Sequence, residues 1–111
     1  MIRKFEVEVT RIDKYVVEID DEVLNEKWLH DFSQVFYDFD DLGEHAEHIA
    51  QYRARFNNCR MDAGYIEGYG LPYLNGEKSV FEKDDKLHQS AINIRVISED
   101  ENIETEVKEV K

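Results

Sequence analysis

The stretch KYVVEIDDEVLNEKWLHDFSQVF, residues 14–36, changes its hydrophobic period part-way along. Its first residues alternate, with Tyr15, Val17 and Ile19 on one side of an extended chain, as in a half-buried strand. Further on, the apolar residues recur at spacings of three and four, which places them on one face of a helix. The change of period predicts a strand followed by a helix, with Asn25 as the helix N-cap.

The same two patterns occur on both sides of this stretch. Residues 4–10, KFEVEVT, alternate strictly and predict a first strand, and the short RIDK segment after it predicts an antiparallel hairpin with the second strand. A second helix is expected to begin near Asp41, which has capping-box spacing to Glu44. Asn75-Gly76 predicts a turn. Three more strands are expected at GYIEGYG (64–70), SAINIRVIS (90–98) and NIETEVKEV (102–110).

The apolar stripes of the two predicted helices indicate which side chains face the core. The first stripe consists of Leu24, Trp28, Leu29, Phe32, Val35 and Phe36. The second consists of Leu42, Ala46, Ile49, Ala50 and Phe56.

The predicted order β-β-α-α-β-β-β indicates an α+β domain, with one mostly antiparallel sheet of about five strands and two helices on one face. A turn at residues 99–101 is expected to connect the last two strands. Residues 1–111 are expected to form a single domain, because a chain of 111 residues is too short to divide into two independent cores.

The composition narrows the class of function. The chain has 26 Asp and Glu residues against 14 Lys and Arg residues, a formal net charge of −12. Such a charge repels phosphate backbones and anionic lipids, so we expect no direct binding to nucleic acid or membranes. It attracts basic protein surfaces, although solubility alone also favours an acidic composition. The N-terminus lacks the apolar run of a signal peptide and Cys59 is the only cysteine, so we expect a cytoplasmic protein.

The segment FYDFDDLGEHAEH, residues 36–48, concentrates acidic and aromatic side chains and contains neither Lys nor Arg. His45 and His48 lie three residues apart on the second predicted helix and could ligate one metal ion, with Cys59 and either His30 or His88 completing a zinc tetrahedron. The segment lacks both the HExxH arrangement and the paired spacing of structural zinc sites. We therefore expect no metal and no cofactor, but two histidines on the helix surface whose pKa the flanking glutamates raise.

Catalytic interpretations of the same carboxylates find little support. Asp38, Asp40 and Asp41 could hold magnesium, but the segment supplies no cation or hydroxyl group to orient a phosphate substrate. The ligand pattern of a calcium-binding loop is incomplete. No serine lies in a Gly-x-Ser-x-Gly elbow, and a free cysteine such as Cys59 is more often a small buried apolar group than a nucleophile. We therefore expect that the protein is not an enzyme.

With metal-binding and catalytic roles set aside, the acidic residues of the two predicted helices are expected to form a densely negative surface. Helical carboxylates three or four residues apart lie about 5–6 Å from each other, and one strand of duplex DNA carries a phosphate about every 3.4 Å. A row of carboxylates on two helices can therefore imitate a track of phosphates at lower density. Exposed aromatic side chains beside carboxylates are also typical of protein-binding surfaces. The expected partner-binding residues are Asp31, Asp38, Asp40, Asp41, Glu44 and Glu47, together with Tyr37 and Phe39.

Residues 36–56, FYDFDDLGEHAEHIAQYRARF, resemble in texture the acidic segments of anti-CRISPR and antirestriction proteins carried by phages and plasmids. The resemblance implies a short, non-enzymatic inhibitor that presents carboxylates where phosphates would lie. Such a DNA mimic would occupy the basic nucleic-acid groove of a CRISPR effector or restriction nuclease, in the cytoplasm of the host cell if it is encoded by a phage. The alternative is a small metal-binding or regulatory domain that uses His45, His48 and neighbouring carboxylates.

Overall fold

A computed structural model describes residues 1–99 and 104–110, and within them it shows five strands and two α-helices. The elements, in chain order, are β1 (Lys4–Thr10), β2 (Lys14–Ile19), α1 (Glu26–Val35), α2 (Leu42–Tyr52), β3 (Leu71–Leu74), β4 (His88–Ser98) and β5 (Glu104–Val110). A π-helical turn, Arg53–Asn57, extends α2, and a 3-10 turn, Asp85–Leu87, precedes β4. The predicted α+β class and the order β-β-α-α-β-β-β are confirmed.

The strands form two sheets rather than one. β2, β4 and β3 form a three-stranded sheet in that order, in which β2 is antiparallel to β4 and β3 is parallel to it. β1 and β5 form a separate antiparallel pair, centred on Val7 opposite Val107. Each of the first two strands thus pairs with a strand from the end of the chain, a long-range arrangement that a local pattern does not reveal.

The predicted hairpin between the first two strands is therefore wrong. The RIDK segment contains no Gly, the residue that the preferred two-residue hairpin turns share. Arg11 instead forms an ion pair with Asp13, with 2.7 Å between Nε and Oδ2. The chain after β1 enters the second sheet, in which β2 pairs with β4, and does not return along β1.

The segment predicted as a third strand, residues 64–70, forms a tight turn. Ile66 and Gly70 exchange backbone hydrogen bonds of 2.8 and 3.0 Å. Gly68 has a φ of +90°, a left-handed conformation that does not occur in a regular strand. The third strand is Leu71–Leu74, directly after this turn.

The remaining predictions for the C-terminal half are largely confirmed. Leu74 and Glu77 exchange backbone hydrogen bonds of 3.0 and 2.9 Å around the predicted turn. The fourth strand begins at His88 rather than at residue 90, and the fifth is observed over Glu104–Val110. β4 and β5 do not pair with each other. Of the turn expected between them only Glu99 is described, and the other two positions, like the first two of the predicted fifth strand, lie outside the described residues.

The core lies between the three-stranded sheet and the two helices. Ile92 and Ile94 of β4 are fully buried, while Asn93 is half-buried and Arg95 is exposed. Phe32 of α1 and Ile49 of α2 belong to the same buried cluster as these two isoleucines. Both helices therefore cover the same face of the sheet, as predicted.

A buried ionic network joins the end of α2 to the sheet. Arg53 is 1% exposed, and its Nη2 lies 2.8 Å from Oε1 of Glu99, directly after β4. The hydroxyl of Tyr15 on β2 donates to Oε2 of Glu99 at 2.6 Å. Burial acts to raise the pKa of Glu99, but the hydrogen bonds from Arg53 and Tyr15 outweigh it and lower that pKa. Glu99 is consequently a half-buried anion whose charge depends on its partners.

Candidate functional site

The connection between the two helices carries most of the acidic and aromatic residues that the sequence singles out. The backbone leaves α1 at Phe36, whose N–H still donates to the carbonyl of Phe32 at 2.9 Å. Asp41 caps α2, because its Oδ1 accepts the N–H of Glu44 at 2.9 Å. In return, Oε2 of Glu44 accepts the N–H of Asp40 at 2.7 Å. The predicted capping box is therefore present, with its return bond made one residue before the cap.

Ring contacts hold this connection against α2. Phe39 is half-buried, and its ring lies edge-on to His45 with 4.9 Å between the centroids. The ring of Tyr37 stacks on Phe39 at 5.6 Å, and His48 lies 5.1 Å from Tyr37 and 5.4 Å from Phe39. Tyr37, which is 53% exposed, is the part of this group most open to solvent.

The two histidines do not have the environment that the sequence suggested. His45 is 2% exposed, and its Nδ1 shares a hydrogen bond of 2.7 Å with the hydroxyl of Tyr69. Burial lowers the pKa of His45, and His48 lowers it further, against the opposing effect of Glu44 and Asp41. Burial also lowers the pKa of His48. The expected raised pKa values are therefore wrong, and both imidazoles are uncharged at neutral pH.

The metal-binding alternative loses its first ligand in this arrangement. Nδ1 of His45 is hydrogen-bonded to Tyr69, and the ring is enclosed by Phe32 and Phe39 at 5.0 and 4.9 Å. Because His45 is only 2% exposed, an ion from solvent has no access to its remaining ring nitrogen. Residues 1–99 and 104–110 contain no group of three or more His, Cys, Asp or Glu side chains placed to hold a metal ion.

Two shallow grooves meet at His48. The larger has a volume of about 450 Å³ and lies between the end of α1 and the π-helical turn. Its lining consists of Val35, Phe36, Tyr37, His48, Tyr52 and Phe56, with Arg55 and Glu67. The smaller has a volume of about 260 Å³. Its lining consists of Phe39, Glu44, Glu47, His48 and Gln51. Because His48 borders both, an apolar groove and an acidic groove lie side by side.

The predicted carboxylates are distributed unevenly around these grooves. Glu44 and Glu47 lie in the smaller groove, while three others lie in the connection just before it: Asp38, Asp40 and Asp41. Asp31 is exposed on α1 and lines neither groove. We refer to both grooves with the three connection carboxylates as the acidic–aromatic surface.

The carboxylates of the acidic–aromatic surface keep their charge unpaired. Among the described residues, none of the six predicted carboxylates forms an ion pair with Lys, Arg or His. Arg53, which follows α2 in sequence, points inward to Glu99 instead. With both neighbouring imidazoles uncharged, the surface is negative at neutral pH.

No family model matches the chain, and no curated protein or solved structure is significantly similar to it. Neither α-helix in the described residues has the length and apolar character that crossing a bilayer requires.

The larger groove contains residues that the sequence assigned to the core. Val35, Phe36 and Phe56 are 72%, 37% and 63% exposed. The π-helical turn Arg53–Asn57 adds a residue to the helical turn, so the stripe that begins in α2 does not reach Phe56. No Gly or Pro marks this change in the sequence, so the stripe pattern alone could not have predicted an exposed groove.

Proposed function

We propose that the protein is a non-enzymatic binding protein whose acidic–aromatic surface docks on the basic nucleic-acid groove of another protein. One observation carries the proposal: exposed carboxylates without cationic partners lie beside an exposed aromatic groove. Unpaired charge steers a basic partner over distance, and aromatic side chains supply the contact area that gives affinity. Either feature alone is common, but together they favour a protein partner over a merely solubilising surface.

The surroundings of His45 and His48 support a binding function rather than a catalytic one. His45 is hydrogen-bonded to Tyr69 in the core, and His48 packs among the rings of Tyr37 and Phe39. A histidine that activates a nucleophile needs a Ser, Thr or Cys within hydrogen-bond reach. Neither histidine has such a partner among the hydrogen bonds of the described residues.

The spacing of the carboxylates supports imitation of nucleic acid. Asp41, Glu44 and Glu47 follow one another at intervals of three residues, which on a helix separates neighbouring side chains by about 5–6 Å. A groove built for phosphates about 3.4 Å apart along a strand could accept this sparser row. Together with the resemblance to phage- and plasmid-borne inhibitors, this leads us to propose a CRISPR effector or a restriction nuclease as the target, met in the host cytoplasm.

The test is a charge reversal that spares the fold. Asp38→Lys, Asp40→Lys and Glu47→Lys are combined, because these side chains take no part in capping α2. The matched control combines Glu6→Lys, Glu8→Lys and Glu106→Lys, which change the net charge equally on the exposed β1–β5 pair. Both variants are compared with the wild type for capture and inhibition of a panel of CRISPR effectors and restriction nucleases.

We expect the wild type to inhibit at least one nuclease, the control to retain inhibition and the surface variant to lose it. Wild-type binding should also weaken steeply between about 50 and 200 mM salt, as expected for a contact that replaces nucleic acid. Inhibition that survives the surface variant, or that is lost equally in the control, would contradict the proposal. So would a wild type that inhibits no nuclease of the panel.

A further inference from the structure

The β1–β5 pair extends from the rest of the molecule as a two-stranded ribbon. Every residue of β1 and β5 is exposed, so both faces of the ribbon are open to solvent. The described chain measures 58 × 31 × 25 Å, with a radius of gyration of 17.6 Å, whereas a compact chain of this length has a radius of gyration of about 13 Å. A two-stranded ribbon alone in water is only marginally stable.

One face of the ribbon is apolar. Phe5, Val7, Val9 and Val107 lie on it, and they are 51%, 52%, 61% and 63% exposed. The opposite face carries Lys4, Glu6, Glu8, Glu104, Glu106 and Lys108. The ribbon is therefore amphipathic, with an apolar face that no other described part of the chain covers.

Among the described residues, the charges on the apolar face balance, although the whole chain has a formal charge of −12. Its carboxylate, Glu109, accepts two hydrogen bonds from Arg3, from Nε at 2.8 Å and from Nη2 at 3.1 Å. The Arg3 guanidinium also lies 5.4 Å from the centre of the Phe5 ring. A basic partner finds no unpaired negative charge among these residues, so we infer that this face has a different ligand from the acidic–aromatic surface.

We propose that the apolar face of the ribbon packs against the same face of a second copy of the chain, in a symmetric dimer. A second copy offers an identical neutral, apolar face, so no charge is buried without a partner. Two sheets that pack face to face lie about 10 Å apart, with their side chains interdigitated. The interface would cover the apolar face of the ribbon and so stabilise a two-stranded element that is only marginally stable alone.

Charge selects the orientation of the two copies. A two-fold axis parallel to the strands would bring both acidic bodies to the same end of the dimer. An axis perpendicular to the strands and parallel to the face places them at opposite ends. The centre of the ribbon is then about 10 Å from Thr10, where β1 ends, and this already exceeds the Debye length of about 8 Å at physiological salt. In this arrangement Val7 faces the partner's Val7, and Phe5 faces the partner's Val9.

The size of the face sets the expected strength. Seven paired positions make a strip about 24 Å long. Two such narrow strips form an interface smaller than the standard size of about 1,600 Å² in total, so we expect a weak dimer, in the micromolar range. Below physiological salt the Debye length is longer and the two acidic bodies repel each other across the dimer. Raising the salt concentration from this range should therefore strengthen the dimer, although it weakens binding to a basic partner.

The first test measures association by sedimentation velocity over a range of concentrations. Val7→Glu places a carboxylate at the centre of the face, while Thr10→Glu adds the same charge on the opposite face. We expect a wild-type dimer that Val7→Glu weakens by at least about tenfold and that Thr10→Glu leaves unchanged. A wild type that stays monomeric into the high micromolar range, or an equal effect of the two variants, would overturn the proposal.

The second test fixes the arrangement. In a Cys59→Ser background, Val7→Cys and Val9→Cys are each treated with a short bismaleimide. The perpendicular axis brings position 7 of the two copies together and keeps position 9 of the two copies about 17 Å apart. Rapid cross-linking of the Val7→Cys variant alone supports the arrangement. Equal cross-linking of both variants, or of neither, would rule it out.

Discussion

Nδ1 of His45 lies 2.7 Å from the hydroxyl oxygen of Tyr69, and both side chains are buried. This hydrogen bond joins α2 to the turn that precedes β3, and it lies beneath the acidic–aromatic surface. Because the buried imidazole is neutral, it leaves the negative charge of Glu44 and Asp41 undiminished at neutral pH. The same burial makes the fold sensitive to acid.

Acidification from neutral pH should destabilise the fold through His45. Its pKa in the folded protein is below the ordinary value of 6.5, so the unfolded chain binds a proton first as the pH falls. The free energy of unfolding is therefore undiminished above about pH 6.5 and declines below it, by at most about 1.4 kcal/mol per pH unit for each such group. His48 contributes with the same sign. Urea denaturation at about pH 7.5 and about pH 5.5 measures the decline.

His45→Gln should make this decline smaller, because glutamine keeps a hydrogen-bonding group near Tyr69 but does not titrate. The matched control is His30→Gln at an exposed position of α1, which should leave the pH dependence unchanged. Both pH values lie above 4.5, the ordinary pKa of a glutamate. Because the pKa of Glu99 in the folded protein is lower still, Glu99 stabilises the fold fully at both values and loses this effect only in more acidic solution. An undiminished decline in His45→Gln would show that other groups cause it.

Arg53→Met should lower the free energy of unfolding by about 3 kcal/mol, because it leaves the half-buried Glu99 without its counter-charge. The double variant Arg53→Met/Glu99→Gln should recover part of this loss, since the neutral amide oxygen still accepts the hydroxyl of Tyr15. Recovery should be incomplete, because Arg53 also donates to the carbonyl of Asp62 at 2.7 Å. Urea denaturation of the three proteins measures both effects, and a loss below about 1 kcal/mol in the single variant would contradict a structural role for the pair.

The parts of the fold that the sequence predicts are those that local interactions determine. Asn25 accepts the N–H of Trp28 at 3.0 Å, and Asp41 caps α2 in the same way, so both helices begin where their caps predict. The pairing of the strands is not local. β1 and β2 alternate as isolated strands do, but their partners lie more than seventy residues away, and nothing in residues 4–19 identifies them.

In the candidate site, too, some features could be predicted from the sequence and others could not. The exposure of Asp38 and Glu47 follows from their charge, and the structure places both at the acidic–aromatic surface. The burial of His45 was not predictable, because it depends on an aromatic enclosure assembled from α1, α2 and the turn that contains Tyr69. The exposure of Phe56 depends on a π-helical turn for which the sequence carries no marker.

Asp41 has two roles that substitution can separate. Asp41→Ala should lower the free energy of unfolding by about 1 kcal/mol, because the N–H of Glu44 loses its acceptor. Asp41→Asn should cost much less, since its side-chain oxygen can still cap α2. Thermal denaturation compares the two, with Asn25→Ala as the control for loss of a cap without loss of charge.

The asparagine variant then reports on the charge alone. If the acidic–aromatic surface attracts a basic partner, Asp41→Asn should weaken binding while its stability stays near that of the wild type. If Asp41→Asn and Asp41→Ala lower the free energy of unfolding equally, the hydrogen bond is not what stabilises α2. The negative charge at the start of the helix would then be the stabilising feature.

Gly68→Ala and Gly76→Ala should differ in cost, although both replace a glycine of positive φ, +90° and +83°. At Gly76 a Cβ atom meets nothing within 4 Å, so only the left-handed backbone opposes the substitution, by about 1–2 kcal/mol. At Gly68 it would lie 2.6 Å from Cε2 of Phe32, a buried ring, and 3.2 Å from Phe36. Displacing Phe32 should add about 1–3 kcal/mol, which urea denaturation measures. Equal losses would contradict the close packing of the turn on α1, whereas the expected difference would show that this turn holds Phe32 and Phe36 in place beside the aromatic groove.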